Sequence, residues 1–158
     1  MMRDDRGSAA ILVVLMLPLL LTTVTGVIQL GAIRVLAARV ASAADLATLA
    51  ATDDQDAAEL VGAGRLALAP DAEAVARKYF ALNLAHISPH LAITADAAAA
   101  RADIALFPQA PATDPLTGWR YDRPTVRIAA SVPILTPAFG SLFAPVTVVN
   151  VRAASAAR

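Results

Sequence analysis

The chain has 158 residues, with 13 basic side chains balanced by 13 acidic ones, 58% hydrophobic residues, 4% aromatics and no cysteine. Zero net charge removes the long-range field that draws proteins to nucleic acid, so no nucleic-acid partner is expected. The absence of cysteine excludes disulfides, thiolate metal sites and cysteine nucleophiles.

Residues 1–6, MMRDDR, form a charged lead, and from Gly7 to Ile33 no charged residue occurs. At about 1.5 Å per residue, these roughly 27 residues reach on the order of 40 Å as a helix, beyond the ~30 Å hydrocarbon core of a bilayer. A transmembrane helix over 7–33, in contact with the lipid bilayer, is therefore expected. Its polar residues, Thr22, Thr23, Thr25 and Gln29, include hydroxyls able to bond back to helix carbonyls. Pro18 removes one backbone donor and presses on the carbonyl of Val14, which marks a helix kink. The rival reading is a secretory signal peptide, with small residues for cleavage around Ala37 to Ala44; against it, the apolar stretch is too long. Arg3 and Arg6 before the span are matched by Arg34 and Arg39 after it, so charge counting leaves the orientation open.

No turn signal separates Ile33 from Thr52, and an amphipathic stalk helix is expected over 34–52. Steps of about 100° place Arg34, Arg39, Ser42, Asp45 and Thr48 on one half, with Ile33, Leu36, Val40, Ala44 and Ala47 opposite. The alanine-rich side permits close packing on the protein's own head or on a neighbouring subunit. TDDQD, residues 52–56, ends the helix, and 53–158 is expected to form one small head. Residues 57–70 read as a short, imperfect helix because Gly62 and Gly64 weaken it. Asp71 is placed as N-cap of a second helix running to about Ala85, with Val75, Tyr79, Leu82 and Phe80 on its apolar side.

Beyond Pro89 the periodicity turns strand-like. Residues 91–95 and 102–107 are expected to pair as a hairpin around Ala97 to Arg101. Residues 108–124 contain four prolines and one glycine and read as a loop. In 125–135, Val126, Ile128, Ala130, Val132 and Ile134 alternate with Thr125, Arg127, Ala129, Ser131 and Pro133, the pattern of a half-buried strand. Pro133 favours an edge or strand-end position. Residues 146–156 form another strand, with Val149, Val151 and Ala153 opposing Asn150 and Arg152. The connector between them carries Phe139, Leu142 and Phe143, either capping the core or making assembly contacts. Arg34, Arg39 and Asp45 on the stalk are the other candidate assembly contacts.

No constellation for catalysis, cofactor binding or metal binding emerges. His86 and His90 are the only histidines and lack companion ligands. Ser131, Ser141 and Ser155 lack a nucleophile-elbow context. The glycines match no phosphate-binding spacing, and Asp53, Asp54 and Asp56 lack a calcium-loop pattern. The chain reads as a non-enzyme without a cofactor. Its expected class is α+β, a long N-terminal helix carrying a second helix packed on a short antiparallel sheet.

Several short pieces then combine in one order: Arg6-Gly7-Ser8-Ala9, Leu17-Pro18-Leu19-Leu20-Leu21, Leu30-Gly31, Arg34, Ala43-Ala44-Asp45-Leu46-Ala47 and Leu49-Ala50-Ala51. Over residues 6–51 this resembles the TadE/TadG-like proteins of tight-adherence (Flp) pilus systems. The resemblance implies a bacterial inner-membrane protein with a cytoplasmic N-terminus and an extracytoplasmic pilin-like head. It also implies a minor pilin or pilus-assembly component whose partners are other pilus subunits, assembly proteins or further copies of itself. Processed pseudopilins of such systems are cut after a glycine and typically carry glutamate five residues beyond. Gly7 and Ser8 would flank that cut, but the fifth residue is Leu12, which brings the chain nearer to an anchored, TadG-like member than to a major pilin. A processed filament subunit and a secreted binding module are the alternatives.

Overall fold

The computed structural model describes residues 5–53, 61–62, 66–136 and 145–158, with side chains of the first helix from Leu12 onward. One helix, α1 (Asp5–Asp53), runs for 49 residues without a break through Pro18. Thr22 Oγ1 donates to the Pro18 carbonyl and Thr23 Oγ1 to the Leu19 carbonyl, both at 2.8 Å, so these hydroxyls are satisfied without leaving the helix.

Two segments of α1 differ in what they touch. The leucines and valines between Leu12 and Val24 are exposed. Further on, Leu36, Val40, Ala44, Ala47 and Ala51 return every three or four residues and are buried, as expected for one helix face. Thr48 departs from the expected polar half. It is fully buried, and its Oγ1 lies 2.9 Å from Ser155 Oγ. A hydroxyl with both a helix carbonyl, Asp45 O, and a partner hydroxyl within reach loses little on burial.

Helix α2 (Ala72–Ala85) packs against α1. Its buried stripe is Ala72, Ala76, Phe80 and Leu84, whereas Tyr79 and Leu82 are exposed and Val75 is only partly covered. The expected stripe followed the largest apolar side chains. Of the expected residues Phe80 is buried, and the rest of the observed stripe is the small Ala72 and Ala76 together with Leu84. Asp71 holds the expected N-cap position but makes no side-chain cap bond. The turn entering the helix is closed by backbone bonds instead, from Ala72 N–H to Ala69 O and from Val75 N–H to Asp71 O.

A single 3-10 turn (Ser88–His90) follows, with His86 and His90 exposed on either side of Ile87. The hairpin expected around Ala97 to Arg101 is not formed. Those residues make a short helix, α3 (Ala95–Ala100), capped by Thr94, whose Oγ1 accepts from Ala97 N–H at 3.2 Å. A run of alanines behind a threonine cap and an acidic first turn favours helix over a two-strand turn. Arg77 of α2 donates to the carbonyls of Ala99 and Ala100 at 2.7 and 3.2 Å, satisfying the exposed end of α3.

The strands are β1 (Asp103–Phe107), β2 (Ala112–Thr113), β3 (Arg120–Tyr121), β4 (Thr125–Leu135) and β5 (Val146–Ala156). The main sheet is antiparallel, in the order β1-β4-β5, while β2 and β3 pair only with each other. β4 and β5 are in register from Thr125 opposite Ala156 to Leu135 opposite Val146. Val126, Ile128, Ala130, Val132 and Ile134 are buried, as are Val149, Val151 and Ala153, and they share one core with α1 and α2. β4 is the central strand, yet Pro133 sits beyond the end of β1, where its carbonyl accepts from Ala92 N–H. Its missing donor therefore faces the side approached by Leu91 and Ala92 and costs the β4–β5 ladder nothing. The architecture is α+β.

Candidate assembly surface

The outward face of the sheet is where the structure adds most to the sequence. Arg127 faces away from the core on β4, but it is buried. The proline-rich segment 108–124, expected as a plain loop, folds back over it as the two-residue strands β2 and β3. Asp114 N–H donates to Trp119 O and Gly118 N–H donates to Asp114 O, both at 2.8 Å. Gly118 takes φ of 73°, a left-handed value that a side chain would oppose. The Phe107 and Tyr121 rings meet with centroids 5.1 Å apart, fastening this small hairpin to β1.

At the centre of the contact, Arg127 Nε lies 3.2 Å from Asp114 Oδ2, and Arg127 Nη2 lies 3.0 Å from Asp103 Oδ2. Asp114 is fully buried. It also accepts from Leu116 N–H at 2.9 Å and from Thr117 Oγ1 at 2.7 Å, with the Tyr121 hydroxyl at 3.4 Å. Burial pushes the Asp114 carboxyl upward, but the Leu116 and Thr117 bonds and the Arg127 charge outweigh it and hold the group below its ordinary value of 3.8. Burial, and then the neighbouring Asp114 charge, raise the Tyr121 phenol above its ordinary 10.0. Every oxygen of Asp114 is thus engaged by the segment that it organises. This is the chemistry of a structural latch.

Around the latch the surface is open. Trp119 is 72% exposed, and Leu116 is exposed beside it. Trp119, Tyr121 and Arg152 line a cleft of about 450 Å³ along the outer sheet face. On its far side, Ser131 donates to Asn150 Oδ1 at 2.7 Å across the β4–β5 ladder.

The anticipated contact residues lie elsewhere. Arg34, Arg39 and Asp45 are exposed on α1. Gly7 and Ser8 fall within the first turns of α1. Phe139, Leu142 and Phe143 lie outside the described residues, as do Asp54 and Asp56. Asp114, Trp119 and Arg152 were not singled out from the sequence. The available signal was one tryptophan and two acids inside a proline-rich stretch, followed by an arginine in a strand.

Taken together, these features define a small α+β head carried by a long apolar N-terminal helix. The Flp pilus-assembly TadE/G-like family model matches residues 7–65, so the helix and stalk of this chain are similar to that family. Neither the search of curated proteins nor the search of solved structures found a match.

Proposed function

We propose that this protein is a membrane-anchored structural component of a Flp-type pilus assembly, in the manner of a minor pilin. The observation that carries the reading is the TadE/G-like match over residues 7–65, because it includes the stretch from Leu12 to Val24 whose leucines and valines are exposed among the described residues. Helix α1 is long and apolar enough to cross a bilayer, with a mean hydropathy of 2.1 in its most apolar window. In this reading residues 7–33 span the inner membrane with the N-terminus cytoplasmic, and residues 34–52 form a stalk that presents the head outside. The head works through protein contacts and not through catalysis. Among the described residues, no group of three or more His, Cys, Asp or Glu is placed to hold a metal.

The deciding experiment is the intact mass and N-terminal sequence of the protein recovered separately from membranes and from sheared surface filaments. An uncut chain confined to membranes is the expected result. A chain beginning at Ser8 in the sheared fraction would replace the anchored protein with a processed filament subunit. Recovery of a soluble head lacking the span would replace it with a secreted module.

A further inference from the structure

β5 is an edge strand of the sheet, and among the described residues no strand pairs with its outer side. The backbone bonds from Ala157 N–H to Pro124 O and from Thr136 N–H to Pro145 O fix which residues of this strand face β4. They are the odd-numbered ones. By alternation, the N–H and C=O groups of Val146, Val148, Asn150, Arg152, Ala154 and Ala156 point away from the sheet. Among the described residues, no backbone or side-chain group bonds to them. The strand is 11 residues long and its register with β4 has no bulge. It contains no proline, and Arg152 is its single charge. Proteins normally block such an edge with one of these devices, because an open row of donors and acceptors recruits another strand.

Two further observations say what fits there. Arg152 is exposed on this edge and has no ion pair or hydrogen bond within the described structure. Beside the Ala156 end of the strand, a hollow of about 330 Å³ is lined by Leu46 and Leu49 of α1, which are 51% and 44% exposed. These leucines lie roughly 25 Å along the helix from Leu30, so the exposure is not explained by a bilayer around the apolar segment.

We propose that the free edge of β5 is a strand-acceptor site for an extended segment of another protein, with an acidic side chain placed opposite Arg152 and apolar side chains reaching the Leu46–Leu49 hollow. Backbone pairing supplies the affinity and the Arg152 partner supplies the register. A second copy of β5 does not meet this requirement, because residues 146–156 contain no carboxylate to answer Arg152. The proposal rests on the β5 edge, on Arg152 and on the Leu46–Leu49 hollow, and is independent of the pilus reading.

The test uses the full chain in detergent micelles, with two nine-residue capped peptides of alternating Thr and Val, one carrying Asp at its centre and the other Lys. The Asp peptide is expected to slow amide exchange at Val148, Asn150 and Arg152 and to bind about tenfold more tightly than its Lys twin. Arg152→Glu should reverse that preference. Ala154→Pro, which removes an outward donor while sparing the β4 ladder, should abolish binding of the Asp peptide. Equal binding of the two peptides, or exchange unchanged by either, would overturn the proposal. Protection of the same amides that grows with protein concentration and without peptide would overturn it in favour of a second copy.

Discussion

Arg127 Nε and Asp114 Oδ2 are 3.2 Å apart, joining the middle of the sheet to a segment that would otherwise have little reason to lie on it. The Arg127 side chain is 5% exposed and that of Asp114 fully buried, so neither charge has water to fall back on. Asp114→Ala should therefore destabilise the head by about 3 kcal/mol, since it leaves Arg127 buried with only the exposed Asp103 as partner. Replacing both residues, as in Arg127→Met with Asp114→Leu, should recover most of that loss. Urea unfolding followed by Trp119, the only tryptophan, measures both.

The same latch gives a pH dependence of defined sign. The folded Asp114 carboxyl holds its proton less readily than the unfolded one, whose ordinary value is 3.8. Its contribution to stability is thus complete above the unfolded value and declines as pH falls through the lower, folded one. Tyr121 acts at the other end. Its phenol is raised above 10.0, so its contribution is present below that pH and is lost as the group ionises at higher values. Trp119 fluorescence should report release of segment 108–124 in acid before α1 loses helicity, and Asp114→Asn should remove the acid step.

Close packing between α1 and α2 rests on alanine. Ala44→Leu or Ala47→Leu should cost about 1–3 kcal/mol by overpacking, although each raises hydrophobicity. Urea unfolding followed by Trp119 should show the loss as a lower midpoint. Thr48→Val should be milder, about 1 kcal/mol, because it leaves Ser155 without its hydroxyl partner in a part-buried site.

If residues 7–33 cross a bilayer, a charge at the centre of the span is costly. Leu20→Arg should reduce insertion by about 2.5–3.5 kcal/mol, read as protein released from membranes by alkaline carbonate. The same change at exposed Leu46, on the stalk, should leave membrane retention unaltered.

Much of this architecture was legible from periodicity. The alternation in 125–135 and 146–156 and the helical phase from Leu36 to Ala47 each reflect one buried face, and a buried face is written locally. Strand partnership is not. Whether Ile104 would meet Ile128 or an upstream strand depended on Ala95 to Ala100 becoming helix, a competition settled by Thr94 as cap. Of the expected α2 stripe Phe80 is buried and Val75 partly so, whereas Tyr79 and Leu82 are exposed and the small Ala72 and Ala76 take the buried side. The latch was hidden for a different reason. Arg127 read as an outward, solvated residue, and only the return of Asp114 from a segment without periodicity shows it to be buried.

Helix α1 runs without interruption from the exposed leucines to the core residues of the head, which turns a length into an angular constraint. Each residue of a helix advances about 1.5 Å and turns about 100°. Inserting one alanine between Leu30 and Leu36 would rotate the Arg152 edge by about a quarter turn relative to whatever grips residues 12–30, with hardly any change in height. The bearing of that edge is therefore encoded in the count of residues along one rod, in the way a shaft fixes the direction of its key.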